Sequence, residues 1–116
     1  MTMRELQEHA CHAHGCSVQV PPELFMCRRH WYSLRKPLRV AIWREYRPGQ
    51  EISKDPSPRY LAVQRLAIAE VAFKSHDEGA ARIAAPYLLE SERWRRYAIE
   101  AGYGDPLVGL VPRAPA

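Results

Sequence analysis

The sequence predicts one compact, mainly helical domain with a cysteine-rich head and an extended C-terminal tail. All three cysteines and four of the five histidines lie in the first thirty residues, whereas apolar residues at helical spacing begin after them. A chain of 116 residues with 47% apolar content suffices for one core and is short for two. We therefore assign residues 1–102 to one domain, with a head over about 8–34, a helical body over about 35–102 and a flexible tail over 103–116.

The head is predicted to be a knuckle, with the possibility of a short β-hairpin. Gly15 and a Pro-Pro pair punctuate it, and brief strands are expected around Val18 and Val20. The segment ELFMCRRHWYSLR then predicts a short helix, or a turn that leads into one. Either conformation places Cys27 and His30 one turn apart on the same side.

About four helices are expected in all, and the second is predicted over about 38–47. Its apolar residues recur at i, i+4 and i+8 from Leu38 through Ile42 to Tyr46. A proline ends the helix before it, and a Pro-Gly pair stops this one. The polar, turn-rich residues 48–57 predict a connecting loop.

Two longer helices are predicted in the second half of the chain. Ser57 is a candidate N-cap followed by a proline at the first helical position, and YLAVQRLAIAEVAFK carries a wide apolar face. Ser75 with Glu78 resembles a capping box that opens the fourth helix. Pro86 should kink or split this helix, and its last segment should end near Gly102.

Two short motifs with the spacing of metal ligands, Cys-x4-Cys and Cys-x2-His, are separated by ten residues. Each motif supplies one pair of ligands, and the four candidate ligands are Cys11, Cys16, Cys27 and His30. Three thiolates and one imidazole complete the tetrahedron that Zn²⁺ prefers, so no position remains for an activated water. We therefore expect a structural Zn²⁺ rather than a catalytic one, which would stabilise a head with few large apolar side chains.

Alternatives remain for these residues. The thiols could be incidental, although their clustering into pairs disfavours this. Cys27 and His30 could form a nucleophile and base, but no residue that would orient the imidazole is evident. His9, His12 or His14 could replace His30 as a ligand, although solvated loop side chains are the simpler interpretation.

Composition limits the function classes. Seventeen Lys and Arg against thirteen Asp and Glu, with a pI near 9.2, favour polyanions or acidic protein surfaces as partners. No secretory segment and no membrane span is expected, which predicts a cytoplasmic protein with free thiols. We find no paired catalytic carboxylates and no phosphate-binding glycine loop, so we do not expect an enzyme.

The densest basic segment is 28–47, where seven basic side chains face one acid, Glu45. Six of these basic residues and one aromatic residue are the candidate nucleic-acid-binding residues: Arg28, Arg29, Arg35, Lys36, Arg39, Trp43 and Arg47. The seventh basic residue of the segment is Arg44. On a helix, Arg39, Trp43 and Arg47 would align, so that arginines meet phosphates while a base stacks on the indole. The alternative is a solvated face with Trp43 in the core.

At the cysteines the chain reads C-HAHG-C-SVQVPPELFM-C-RR-H-W. This pattern resembles the treble-clef-like zinc knuckle of small phage and prophage proteins, including some that accompany HNH endonucleases. Residues 11–72 more widely resemble uncharacterised bacterial prophage-type proteins. The resemblance implies a zinc-binding phage accessory protein in the bacterial host cytoplasm, with the same four ligands. No His-Asn-His core follows the knuckle, so nuclease activity is not implied.

Two functions from different classes follow. The favoured one is nucleic-acid binding, with DNA preferred over RNA, through the basic surface around residues 28–47. The alternative is a protein-binding inhibitor of a host or defence protein, in which the metal only shapes the head. A homo-oligomer is compatible with both.

Overall fold

The computed structural model describes residues 9–53, 55–75 and 78–110. In chain order the elements are β1 (His9–Ala10), β2 (Gln19–Val20), α1 (Arg28–Ser33), α2 (Lys36–Glu45), α3 (Gln50–Ser53), α4 (Pro58–Ser75) and α5 (Ala80–Glu100). This confirms the mainly helical compact domain with a small hairpin. No helix in the described ranges is long and apolar enough to cross a bilayer.

An antiparallel pair, α4 and α5, forms the centre of the fold. Ala72 on α4 and Ala84 on α5 are buried in one cluster near the turn, and farther along Ser91 Oγ donates a 2.7 Å hydrogen bond to Ala62 O. The sequence numbers fall on one helix as they rise on the other, which defines the antiparallel arrangement. Small side chains at these positions let the two backbones approach closely.

The start of α4 is capped as predicted. Tyr60 N donates a 3.1 Å hydrogen bond to Ser57 Oγ, and Pro58 is the first helical residue. Helix α2 packs across α4 and contributes Leu38 and Ile42 to the core. The apolar row predicted for this helix therefore faces inward.

Two local predictions are wrong, and of the two alternatives predicted for Pro86, a kink or a split, the split is wrong. Helix α4 continues to Ser75, and α5 begins only after Gly79, whose φ of 73° suits glycine, so the N-cap of α5 is Gly79 rather than Ser75. Helix α5 is one element across Pro86 and is not split. The predicted loop 48–57 contains the short helix α3. Pro86 is exposed, so water can hydrate the carbonyl that lacks its helical donor.

Helix α5 ends in a Schellman motif, where the sequence placed its end. Tyr103 N donates to Ala98 O at 2.8 Å and Gly102 N donates to Ile99 O at 3.1 Å. The φ of Gly102 is 85°, a left-handed conformation that glycine adopts without strain. The chain therefore reverses at this point and returns toward the core.

The residues after the turn are not an extended tail up to position 110. Leu107 and Leu110 are 5% and 4% exposed and belong to the main core. Arg95 forms a bidentate ion pair with Asp105, with nitrogen–oxygen distances of 3.0 and 2.9 Å, which fixes the returning segment to α5. The rest of the predicted tail, 111–116, lies outside the described residues.

Candidate metal centre

The hairpin of the head positions the first pair of cysteines. Strands β1 and β2 are antiparallel, with His9 opposite Val20. Cys11 follows β1, and its N–H donates a 2.8 Å hydrogen bond to Val18 O, which extends the ladder by one step. Gly15 has a φ of 79°, so the chain turns sharply and brings Cys16 back beside Cys11.

The start of α1 positions the second pair. Cys27 is the N-cap of α1, and Trp31 N donates to Cys27 O at 2.9 Å. His30 therefore stands one turn along and on the same side as Cys27, as the spacing predicted. A 3.2 Å hydrogen bond from His12 N to Phe25 O joins the hairpin to the segment that precedes α1.

The four predicted ligands converge. Their donor atoms, three Sγ atoms and one imidazole nitrogen, all lie within 4.8 Å of one another. His30 Nδ1 is 3.2 Å from Cys27 Sγ and 3.5 Å from Cys11 Sγ. A tetrahedral Zn²⁺ with ordinary bond lengths requires edges of about 3.5 Å for S···N and about 3.8 Å for S···S. The three cysteines are free thiols, so the donor set can hold a metal ion.

Burial and hydrogen bonds shift the pKa values of the donor groups in different directions. Burial raises the pKa of the Cys11 thiol to about 11, although backbone N–H groups oppose this shift. Burial acts in the same direction on Cys27, but hydrogen bonds from the backbone of His30 and Arg29 and from the other thiols hold its pKa below the usual value. Burial and the charge of Arg29 lower the pKa of His30, which keeps the imidazole in the neutral form that binds metals.

The other histidines of the head have different neighbours. His14 Nδ1 lies 3.0 Å from the hydroxyl of Tyr87, and the ring of His12 stacks on Phe25 with centroids 5.0 Å apart. His9 Nδ1 donates to Ala10 O at 2.9 Å. Within the described ranges the only group of three or more metal-ligating side chains is the predicted one.

Part of the predicted basic surface is occupied by contacts inside the molecule. Arg35 contacts Glu70 through Nε at 2.5 Å and also donates to Leu110 O. Arg44 Nη2 donates to Pro106 O at 3.3 Å. Arg47 pairs with Asp55, and because α2 ends at Glu45, Arg47 does not continue the row of Arg39 and Trp43. Of the seven basic residues, these three therefore have structural contacts.

The other four, Arg28, Arg29, Lys36 and Arg39, form no ion pair with any carboxylate in the described part of the chain. The guanidinium carbons of Arg28 and Arg39 lie 6.0 and 5.2 Å from the ring centre of Tyr32. Trp43 is 49% exposed, so the alternative that places it in the core is wrong. Among the described residues these four cations thus have no carboxylate partner, and the indole of Trp43 is accessible.

Arg28 and Trp43 line a cavity of about 320 Å³ that the sequence did not indicate. We call it the aromatic pocket, and six aromatic side chains line it: Phe25, Trp31, Tyr32, Trp43, Tyr46 and Tyr60. The density of aromatic residues between 25 and 46 was a signal for it. Tyr60 comes from α4 and could not have been assigned, because no local pattern connects it to the others.

No family model matches the chain, no curated protein is similar to it and no solved structure matches it. The resemblance to phage zinc knuckles therefore rests on the Cys-x4-Cys and Cys-x2-His pattern and the flanking residues that carry it. A function has to be argued from the geometry of the metal centre and of the surface beside it.

Proposed function

We propose that this chain is a zinc-stabilised accessory protein of the phage type that binds nucleic acid, DNA in preference to RNA, and is not an enzyme. The observation that supports binding is a group of four cations on α1 and α2 that have no carboxylate partner among the described residues, together with the exposed Trp43, which lines a pocket with Arg28. The metal centre lies at the start of the same helix α1, so the ion would hold this surface in place.

Zinc is the ion that the donor set fits best. Three thiolates and a neutral imidazole are soft or borderline ligands, which disfavours Mg²⁺ and Ca²⁺. Four protein donors fill a tetrahedron, so the ion would be structural and would not activate water. Its contribution would be to join the hairpin to α1, because two of its ligands come from each.

Phosphate contacts explain why unpaired cations matter. A nucleic acid releases condensed counterions when Lys and Arg neutralise its phosphates, with a salt slope of about 0.7 to 0.9 per contact. Arg29 and Lys36 are exposed and form no ion pair with a carboxylate of the described residues. Binding a phosphate would therefore not require them to break such an ion pair. Arg35, by contrast, would have to give up Glu70.

The test compares two double variants that remove the same charge. Fluorescence anisotropy with labelled DNA over a salt series should show weaker binding for Arg29→Ala/Lys36→Ala, with a salt slope lower by about 1 to 2. The matched control is Arg93→Ala/Arg96→Ala, on the exposed face of α5. Equal losses of affinity in both variants would show that binding depends on the overall positive charge rather than on Arg29 and Lys36. No binding by the zinc-loaded wild type to DNA or RNA at low salt would refute the proposal.

A protein-binding inhibitor of a host or defence protein is the second candidate, and a specific feature favours it. Leu89 and Tyr97 lie two turns apart on α5 and are 73% and 54% exposed. Exposed apolar side chains that are grouped on one helix face are typical of contact sites. Capture from bacterial lysate on wild type and on Leu89→Ser would test it. A protein that both baits retain equally, or none at all, would count against this candidate.

A further inference from the structure

We propose that the aromatic pocket receives one unpaired base, so that the nucleic acid bound by this protein is single-stranded. The inference rests on the proposed function and narrows it from nucleic acid in general to an unpaired strand. It is carried by the aromatic lining of the pocket, by Arg28, which also lines it, and by Arg39, which lies over the ring of the wall residue Tyr32.

Four of the six rings of the pocket form an edge-to-face series. Trp31 and Trp43 have centroids 6.2 Å apart, Trp43 and Tyr46 are 5.5 Å apart, and Tyr46 and Tyr60 are 6.4 Å apart. Trp43 and Tyr32 are 49% and 63% exposed, so their rings are accessible to a planar guest. A cavity of about 320 Å³ is at the small end of ligand sites, which suits one nucleotide better than a larger ligand.

The charges decide between two guests that aromatic pockets accept. A quaternary or methylated ammonium group is attracted to ring faces, but only where no other cation competes. Here Arg28 lines the pocket and Arg39 lies over Tyr32, another wall residue, against one carboxylate in the wall, Glu23. A cationic guest would be repelled by both arginines. A nucleotide instead offers a planar base to the rings and a phosphate to the guanidinium groups.

Because a single base has to enter the pocket, the pocket favours an unpaired strand over a duplex. A duplex base must be unpaired and unstacked before it can enter a cavity, whereas a base of a single strand is already available. Stacking on aromatic side chains depends little on base identity, because every base has a π face. The pocket would therefore discriminate between single-stranded and duplex nucleic acid more than between base sequences.

The test uses the zinc-loaded full chain and four labelled probes of equal length at one salt concentration. They are an oligothymidylate, the same strand with abasic sites at its centre, the corresponding RNA, and the DNA duplex. The single strands should bind more tightly than the duplex, and abasic sites should weaken binding by about tenfold although every phosphate is retained. The DNA and RNA arms identify which strand is the better ligand.

The matched variants are Trp43→Ala and Tyr97→Ala, which remove aromatic side chains of similar exposure from α2 and α5. Trp43→Ala should abolish the difference between intact and abasic strands and leave the salt slope unchanged, whereas Tyr97→Ala should preserve both. Salt-dependent binding with equal affinity for intact, abasic and duplex probes would overturn the inference and leave the proposed function standing. A Trp43→Ala protein that still discriminates would also overturn it. Absence of binding to every probe would refute both.

Discussion

His30 Nδ1 lies 3.5 Å from Cys11 Sγ, although 19 positions separate the two residues in the chain. The contact joins the hairpin to α1, since Cys11 follows β1 and His30 belongs to the helix. The hydrogen bond between His12 N and Phe25 O and the stacking of the His12 and Phe25 rings lie beside it. The donor cluster therefore joins the hairpin to α1 within the head.

Removal of a bound metal ion should destabilise the contact between the hairpin and α1. We expect native mass spectrometry to find one zinc per chain, and expect a strong chelator to lower the thermal midpoint, because structural zinc sites bind with about 10–16 kcal/mol. Cys11→Ser should lose the ion, whereas His14→Ala should retain it because His14 contacts Tyr87 instead. A Cys11→Ser protein with full zinc content, or a chelated protein that melts unchanged, would contradict the assignment.

The returning C-terminal segment should contribute to stability, contrary to the sequence prediction of a flexible tail. Leu107 is 5% exposed, so Leu107→Ala should lower the free energy of unfolding by about 2–4 kcal/mol. The adjacent Val108 is 74% exposed, and Val108→Ala should change that free energy by less than about 0.5 kcal/mol. Urea denaturation of the zinc-loaded proteins measures both. Similar small effects for the two variants would mean that the segment does not pack on the core in solution.

What the sequence predicted correctly is local. The ligand pairs, the Ser57 cap of α4 and the glycine that ends α5 are each encoded within a few residues, because turns and caps depend on neighbouring backbone groups. The four candidate metal ligands form two such local pairs, so only their convergence had to be inferred. Their convergence was predicted because a tetrahedral metal ion requires four donors around one point.

What the sequence did not predict is the pairing of distant residues. Arg35 belongs to the basic run, but its contacts are with Glu70 and Leu110, 35 and 75 positions away. Charge counting treats such an arginine as free, because the pattern along the chain contains no information on its partner. The aromatic pocket was missed for the same reason, since Tyr60 approaches Trp43 and Tyr46 only after α4 packs against α2.

The ion pair of Asp105 with Arg95 predicts a pH dependence. Hydrogen bonds from the Arg95 guanidinium hold the pKa of the Asp105 carboxyl below its usual value of 3.8. Because the folded pKa is lowered, the stabilisation is complete above the unfolded value and disappears as the pH falls through 3.8 toward the folded value. Asp105→Asn should therefore cost about 1 kcal/mol at neutral pH, and this difference from wild type should shrink in acid.

Two features make that measurement specific. Acid would also release a metal ion held by the thiolates, but this would affect both proteins, so the difference in unfolding free energy between them is the quantity to follow. Asp55→Asn is the matched control, because Asp55 pairs with Arg47 at 3.8 Å and its side chain is 84% exposed. It should change stability by less than about 0.5 kcal/mol at any pH. A constant cost of Asp105→Asn from neutral to acid pH would show that charge is not its origin.

Pro86 should destabilise the helix that it occupies. It stands in the second turn of α5, where its missing N–H leaves the Arg82 carbonyl without a helical donor. Pro86→Ala should raise the free energy of unfolding by about 1–3 kcal/mol, because the restored hydrogen bond outweighs the extra freedom of the unfolded chain. Ala85→Gly, at the exposed neighbouring position, should act in the opposite direction by about 1 kcal/mol. If Pro86→Ala left stability unchanged or lowered it, the proline would instead be required for the path of α5 along α4.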